Sequence, residues 1–128
     1  MRLVSQQASV KGKHLLINLY EAKHLTSCTY IEEQLERVVR LCGATLLDIN
    51  IHSFGENQGV TGVAMLAESH ISIHTWPENG FAAIDVFMCG DCDPENAVAP
   101  LEAAFEAKRI EVTCIHRGTV GNSEKALK

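Results

Sequence analysis

Between Glu68 and Glu78 the chain reads Glu-Ser-His-Ile-Ser-Ile-His-Thr-Trp-Pro-Glu. Extended as a strand, this segment places His70, Ser72, His74 and Trp76 on one face and Ile71, Ile73 and Thr75 on the other. The apolar face asks for a core. The opposite face carries two imidazoles with a hydroxyl between them, and imidazoles exchange protons near neutral pH, which suits general acid–base work. Ser69 and Glu68, just ahead, add a nucleophilic hydroxyl and a carboxylate. A merely solvated strand has little use for such a series, whereas a reacting site does.

The neighbouring elements say what this segment meets. Pro77-Glu78-Asn79-Gly80 reads as a turn and Phe81 to Phe87 as the next strand. A simple hairpin across that turn sets Trp76 opposite Phe81 and, further out, Ser69 opposite Met88, beside Cys89. A hydroxyl and a thiol remote in sequence then meet at one end of the hairpin, the place to look for a reacting atom.

Common small motifs do not account for the segment. No Gly-x-Ser-x-Gly elbow is present, and Ser69 follows no strand-to-helix turn. Cys89 as nucleophile with His70 or His74 as base fits by residue type but lacks a local signature. Gly55 and Gly59 in Phe-Gly-Glu-Asn-Gln-Gly do not precede a helix, so they are no phosphate cradle. Cys89-Gly-Asp-Cys92 is a lone Cys-x-x-Cys, and zinc would need two further ligands. The five cysteines are odd in number and scattered, which argues against a disulfide framework. Cys42 and Cys114 fit buried apolar positions, and Cys92 reads as an incidental thiol.

The remaining elements alternate regularly. His14 to Tyr20 reads as a strand, and Thr29-x-x-Glu32 as a capping box opening a helix that buries Ile31, Leu35, Val38, Val39 and Cys42 and stops at Gly43. Thr45 to Phe54 and Val60 to Leu66 are strands. Asp93 and Pro94 begin a second helix with Val98, Leu101, Ala104 and Phe105 inward, which Pro100 should bend or shorten. Arg109 to His116 closes as a strand with Ile110, Val112 and Cys114 on one face. The order βαββββαβ predicts an α+β two-layer sandwich, a mainly antiparallel sheet with two helices packed on one face. Residues 13–117 form the single domain, with a flexible leader at 1–12 and a flexible tail at 118–128.

Composition narrows the function classes. The chain of 128 residues is 46% hydrophobic and 21% charged with a formal net charge of -5, which gives no reason to expect nucleic acid or an anionic membrane as partner. No apolar run approaches the roughly 20 residues that span a bilayer, and residues 1–13 lack the apolar core of a secretion signal, so a cytoplasmic location is expected. His14, His24, His52 and His116 read as strand or surface histidines. His70 reads equally as a semi-buried polar neighbour of the site, Trp76 as core or interface, and Glu32, Glu33, Glu36, Arg37 and Arg40 as a solvated helix face.

The long segment Ala67 to Glu78 resembles the self-cleavage region of the small prokaryotic S-adenosylmethionine decarboxylase proenzymes, the pyruvoyl-dependent class. The resemblance extends to Gly59-Val-Thr-Gly-Val63 before it, to Gly80-Phe-Ala-Ala-Ile-Asp85 and Phe87-Met-Cys-Gly90 after it, and to His14-Leu-Leu at the start of the domain. It implies that the Ser69 hydroxyl attacks the Glu68 carbonyl, that the chain breaks between Glu68 and Ser69, and that a pyruvoyl group formed from Ser69 caps residues 69–128. That ketone would bind the substrate amine as a Schiff base and serve as electron sink, a task other decarboxylases give to pyridoxal phosphate.

By the same resemblance His74 is the processing base and Cys89 the acid that reprotonates the substrate carbon. Thr61 assists processing, while Phe54 stacks on adenine and Glu78 holds the ribose hydroxyls. The product would be decarboxylated S-adenosylmethionine and CO2, for spermidine synthesis, made by a homodimer of processed protomers. A straight strand would part Ser69 from His74 by about 16 Å, so a bulge, a later strand start or a second subunit must close the gap. The loop from Phe54 to Gly59 is about one residue longer than the proline-containing version found in some members. Rival readings are a pyruvoyl-dependent arginine or ornithine decarboxylase on this scaffold, and an unprocessed homologue that binds without catalysis.

Overall fold

The computed structural model describes residues 11–118; the leader, apart from its last two residues, and the tail beyond Gly118 lie outside them. The strands are β1 (Gly12–Tyr20), β2 (Leu46–Ser53), β3 (Val60–Leu66), β4 (Ser69–Trp76), β5 (Phe81–Cys89) and β6 (Arg109–Arg117), with helices α1 (Cys28–Leu41) and α2 (Val98–Ala104). They form one six-stranded sheet in the order β2-β3-β4-β5-β1-β6, every pairing antiparallel. Alternation assigns the faces. Leu15, Ile17, Leu19, Ile71, Ile73, Ala82, Ile84, Val86 and Met88 are buried on the inner face, beneath Ile31, Leu35, Val38 and Val39 of α1 and Leu101 and Phe105 at α2. The α+β two-layer sandwich follows as expected.

Local details depart from expectation in instructive ways. The first helix is capped by Ser27, whose Oγ accepts from the Tyr30 amide at 3.1 Å, so the Thr29 capping box does not form and the cap lies two residues earlier. Asp93 caps as expected, yet Pro94–Ala97 is a 3-10 turn and α2 begins only at Val98. That start puts Pro100 in the first helical turn, where a missing amide hydrogen breaks no helical bond. Cys114 was placed inward, and its parity is inward, but it is exposed, as is Val112. β6 is a sheet edge that the two helices leave uncovered.

Opposite the helices lies a second, open face. Its cross-strand rows are set by the ladders: Phe87 with His70 and His14, then Asp85 with Ser72 and Leu16, then Ala83 with His74, Thr61 and Asn18, then Phe81 with Trp76. The predicted Trp76–Phe81 register holds. His70, Ser72, His74 and Trp76 all lie on this face, and Glu78 follows in the turn beyond it.

Candidate active site

Two groups of side chains form at opposite ends of β4. At its start, Leu66 faces Ser69 across a two-residue turn of Ala67 and Glu68. Glu68 has a φ of 60°, a left-handed conformation that costs a non-glycine residue about 1–2 kcal/mol. The strain sits on the residue whose carbonyl precedes the Ser69 nitrogen. Cys89, the last residue of β5, points its Sγ at that carbonyl oxygen from 3.4 Å, with Glu68 Oε1 at 3.9 Å. A thiol hydrogen donated there would stabilise charge developing on the oxygen. Ser69, Glu68 and Cys89 are therefore together.

At the far end of β4, His74 Nδ1 and Thr61 Oγ1 pair at 3.1 Å across the β3–β4 ladder. The hydroxyl occupies one ring nitrogen and leaves Nε2 open. A cavity of about 320 Å3 adjoins them, lined by Phe54, Gln58, Gly59, Thr61, His74, Thr75, Trp76 and Glu78. Phe54 is 63% exposed, with the His52 ring edge-on behind it at 4.8 Å. Trp76, expected in core or interface, is 41% exposed and rests on Phe81 at 5.4 Å. Both rings are braced from behind and open in front, a setting for a flat aromatic ligand. Thr61, His74, Phe54 and Glu78 thus share one site, but Ser69 and Cys89 are not in it. Neither the β3–β4 nor the β4–β5 ladder has a register shift, and β4 starts at Ser69 itself. A bulge and a later start are both excluded, so the gap of about 16 Å stands within one chain.

Between the two ends lies a group missing from the sequence reading. Asp85 accepts from His14 Nε2 at 2.5 Å and His70 Nε2 at 2.9 Å, both on Oδ2, and from Ser72 Oγ on Oδ1. Arg117 Nη1 lies 3.2 Å from His14 Nδ1. Burial pushes the Asp85 carboxyl up, but the three hydrogen bonds and the nearby His70 outweigh it and hold the group below the ordinary carboxylate range. Extending the hairpin register from Trp76–Phe81 pairs Ser72 with Asp85, so that half was legible. His14 comes from a remote strand and was not.

The Cys-x-x-Cys pair does not converge: Cys89 faces Glu68, while the Cys92 thiol reaches the Gly43 carbonyl at 3.4 Å. Cys42 is buried as expected, and burial pushes its thiol up to about 11. A larger cavity of about 500 Å3, lined by Lys11, Gly12, Lys13, Met88, Gly90, Asp91, Cys92, Asp93 and His116, includes none of the candidate residues.

Fold and site together define a small α+β sandwich that places a serine at a strained turn, against a thiol, at the other end of the strand from a nucleoside-sized pocket. A family model described as S-adenosylmethionine decarboxylase matches residues 13–118. The chain belongs to that family. It is 46% identical over 116 residues to the S-adenosylmethionine decarboxylase proenzyme of Methanococcus maripaludis, covering 88% of this chain and 94% of that protein. A proenzyme of the same name from Parasynechococcus marenigrum is 47% identical over 111 residues, covering 84% of this chain and 86% of its own. The crystal structure of the adenosylmethionine decarboxylase from Aquifex aeolicus superposes with a TM-score of 0.78 at 36% identity, over 88% of this chain and 94% of that one.

Proposed function

We propose that this chain is a self-cleaving proenzyme that decarboxylates S-adenosylmethionine, with its prosthetic group made from Ser69. The observation that carries the reading is the Glu68–Ser69 junction: a left-handed glutamate, a serine at the first strand position, and a thiol 3.4 Å from the carbonyl to be attacked. The Ser69 hydroxyl adds to the Glu68 carbonyl carbon, and Cys89 offsets charge on its oxygen. The C–N bond breaks as the C–O ester forms, and the hydroxyl proton passes to the freed nitrogen. A base removes the Ser69 α-proton, and the Cβ–O bond breaks. Glu68 leaves as a carboxylate ending fragment 1–68, and hydrolysis at residue 69 releases ammonia. These residues fit the pyruvoyl group that the family implies, because the group is built from the serine at the strained turn. A pyruvoyl ketone supplies the electron sink that amino-acid decarboxylation needs and no ordinary side chain offers.

The remaining roles divide by position. Cys89 is the proton donor to the substrate carbon. Phe54 stacks on the purine and Glu78 takes the ribose hydroxyls. His74, held by Thr61, is the processing base and comes from a second copy, a reading that the uninterrupted β4 supports. The working unit is then a homodimer in which the Ser69 end of one open face meets the His74 end of the other. Exposed Leu16, Val63, Met65 and Ile115 on that face are suited to burial there. A cytoplasmic setting accords with five unpaired cysteines. No helix among the described residues is long and apolar enough to cross a membrane.

Denaturing mass spectrometry tests the reading. The wild-type chain should give fragments 1–68 and 69–128, whereas Ser69→Ala should stay intact. Cleavage of the variant at the same bond would end the proposal. CO2 release should be fast from S-adenosylmethionine and negligible from arginine or ornithine.

A further inference from the structure

The composite site has a geometric corollary. For the Cys89 end of one copy to meet the His74 row of another about a two-fold axis, that axis must pass midway between them. Along the open face it falls between the Phe87 row and the Asp85 row, on the group formed by His14, His70, Ser72 and Asp85. Two such groups therefore approach each other at the axis. We propose that His70 is a proton switch in this interface: association adds a proton to His70 of each copy, so the dimer tightens as the pH falls from 8 to 6. The proposal rests on the composite-site reading above.

Hydrogen-bond bookkeeping singles out His70. His14 is filled on both sides, since its Nδ1 accepts from Arg117 at 3.2 Å and its Nε2 hydrogen goes to Asp85. A proton on that Nδ1 would face the guanidinium. His70 donates its Nε2 hydrogen to Asp85 at 2.9 Å, and its Nδ1 has no hydrogen-bond partner among the described residues. It is the ring with a place for a proton. Asp85 needs one, because its three donors are formally neutral and Arg117 reaches only the far side of the His14 ring while remaining exposed. Two carboxylates moved out of water towards one axis repel strongly, and a protonated His70 beside each turns the pair into two local ion pairs.

The rest of the face does not supply that charge. β2 contributes Asp48 and His52, β3 no titratable group, β4 His74, β5 Cys89, β1 His14 and the Tyr20 phenol, which donates to Glu111 at 2.7 Å, and β6 Arg109, Glu111 and Arg117, with Glu68 and Glu78 at the turns. Arg109 and Glu111 engage each other at 3.4 Å. His74 belongs to the row beyond Asp85 and is tied to Thr61. The sign follows from proton uptake on association: the added affinity is present at the acid end of the range and fades as the pH rises.

Sedimentation equilibrium of the full-length protein between pH 6 and 8 reads this directly. Wild type should show a dissociation constant about tenfold lower at pH 6 than at pH 8. His70→Gln and Asp85→Asn, checked for folding by circular dichroism, should each flatten the response, and His52→Gln should keep it. A flat or reversed wild-type response, or a full response in His70→Gln, overturns the switch while leaving the dimer in place. A chain that is monomeric and active at every pH overturns the composite site itself. Should both variants fail to fold, dilution calorimetry of wild type in two buffers of different ionisation enthalpy decides: proton release on dissociation supports the switch, and none overturns it.

Discussion

The two ends of β4 belong to one unbroken strand, yet they do opposite things to the chain. The Ser69 end concentrates strain: a glutamate at φ 60°, a tight turn and a thiol directed at a backbone carbonyl. The His74 end concentrates room and recognition: a cavity of about 320 Å3, two braced aromatic rings, a carboxylate and a hydroxyl-tethered imidazole. One end is suited to breaking a bond and the other to holding a nucleoside. On the proposed roles neither is complete, since the processing imidazole His74 stands at one end and the reacting Ser69 at the other. In the composite-site reading proposed above, that division makes self-association part of the chemistry rather than an accessory to it.

Cys89→Ala strikes the breaking end hardest. It should still cleave at least in part, because Ser69 remains the nucleophile, but turnover should fall by about 10²- to 10⁴-fold, the usual worth of a positioned general acid. Decarboxylation assays on the purified, cleaved variant check this, and wild-type turnover would remove Cys89 from its role. Next in size is a complementation experiment. Co-expressed Cys89→Ala and His74→Ala chains form mixed dimers with one intact composite site, so about half of wild-type activity per mixed dimer should return although each variant alone is nearly inactive. No recovery would place the whole site within one chain.

The smallest effect concerns the holding end alone. A Cβ on Gly59 would run into the Thr75 carbonyl oxygen, so Gly59→Ala should lower stability by about 1–3 kcal/mol. It should also raise KM for S-adenosylmethionine, with cleavage at Glu68–Ser69 intact. Thermal melts and steady-state kinetics read both. A cleavage defect as large as the binding defect would blur the distinction between the ends.

Much of this arrangement was legible because it is local. The turn at 77–80 set the β4–β5 register, from which Trp76 meets Phe81 and Ser72 meets Asp85 without any knowledge of the rest. The buried face of α1 followed from helical spacing, although its cap did not: Ser27 and Thr29 both offer an oxygen, and only the path of the incoming loop selects Ser27. Cys114 was misjudged because alternation reports which face a side chain takes, not whether anything covers that face. Trp76 likewise carries the parity of an outward residue and the composition of a core one.

The sequence by itself determined the period-two pattern of the central strands, the hairpin register and the long segment that places the chain in its family. All of these depend on neighbours along the chain or on residue identity. Only the tertiary structure decided that β1 enters between β5 and β6, bringing His14 and Arg117 to Asp85, and that Ser69 and His74 stay at opposite ends of an unbroken strand. The order of strands in a sheet is chosen by burial summed over the whole domain, and many orders satisfy the same local periodicities.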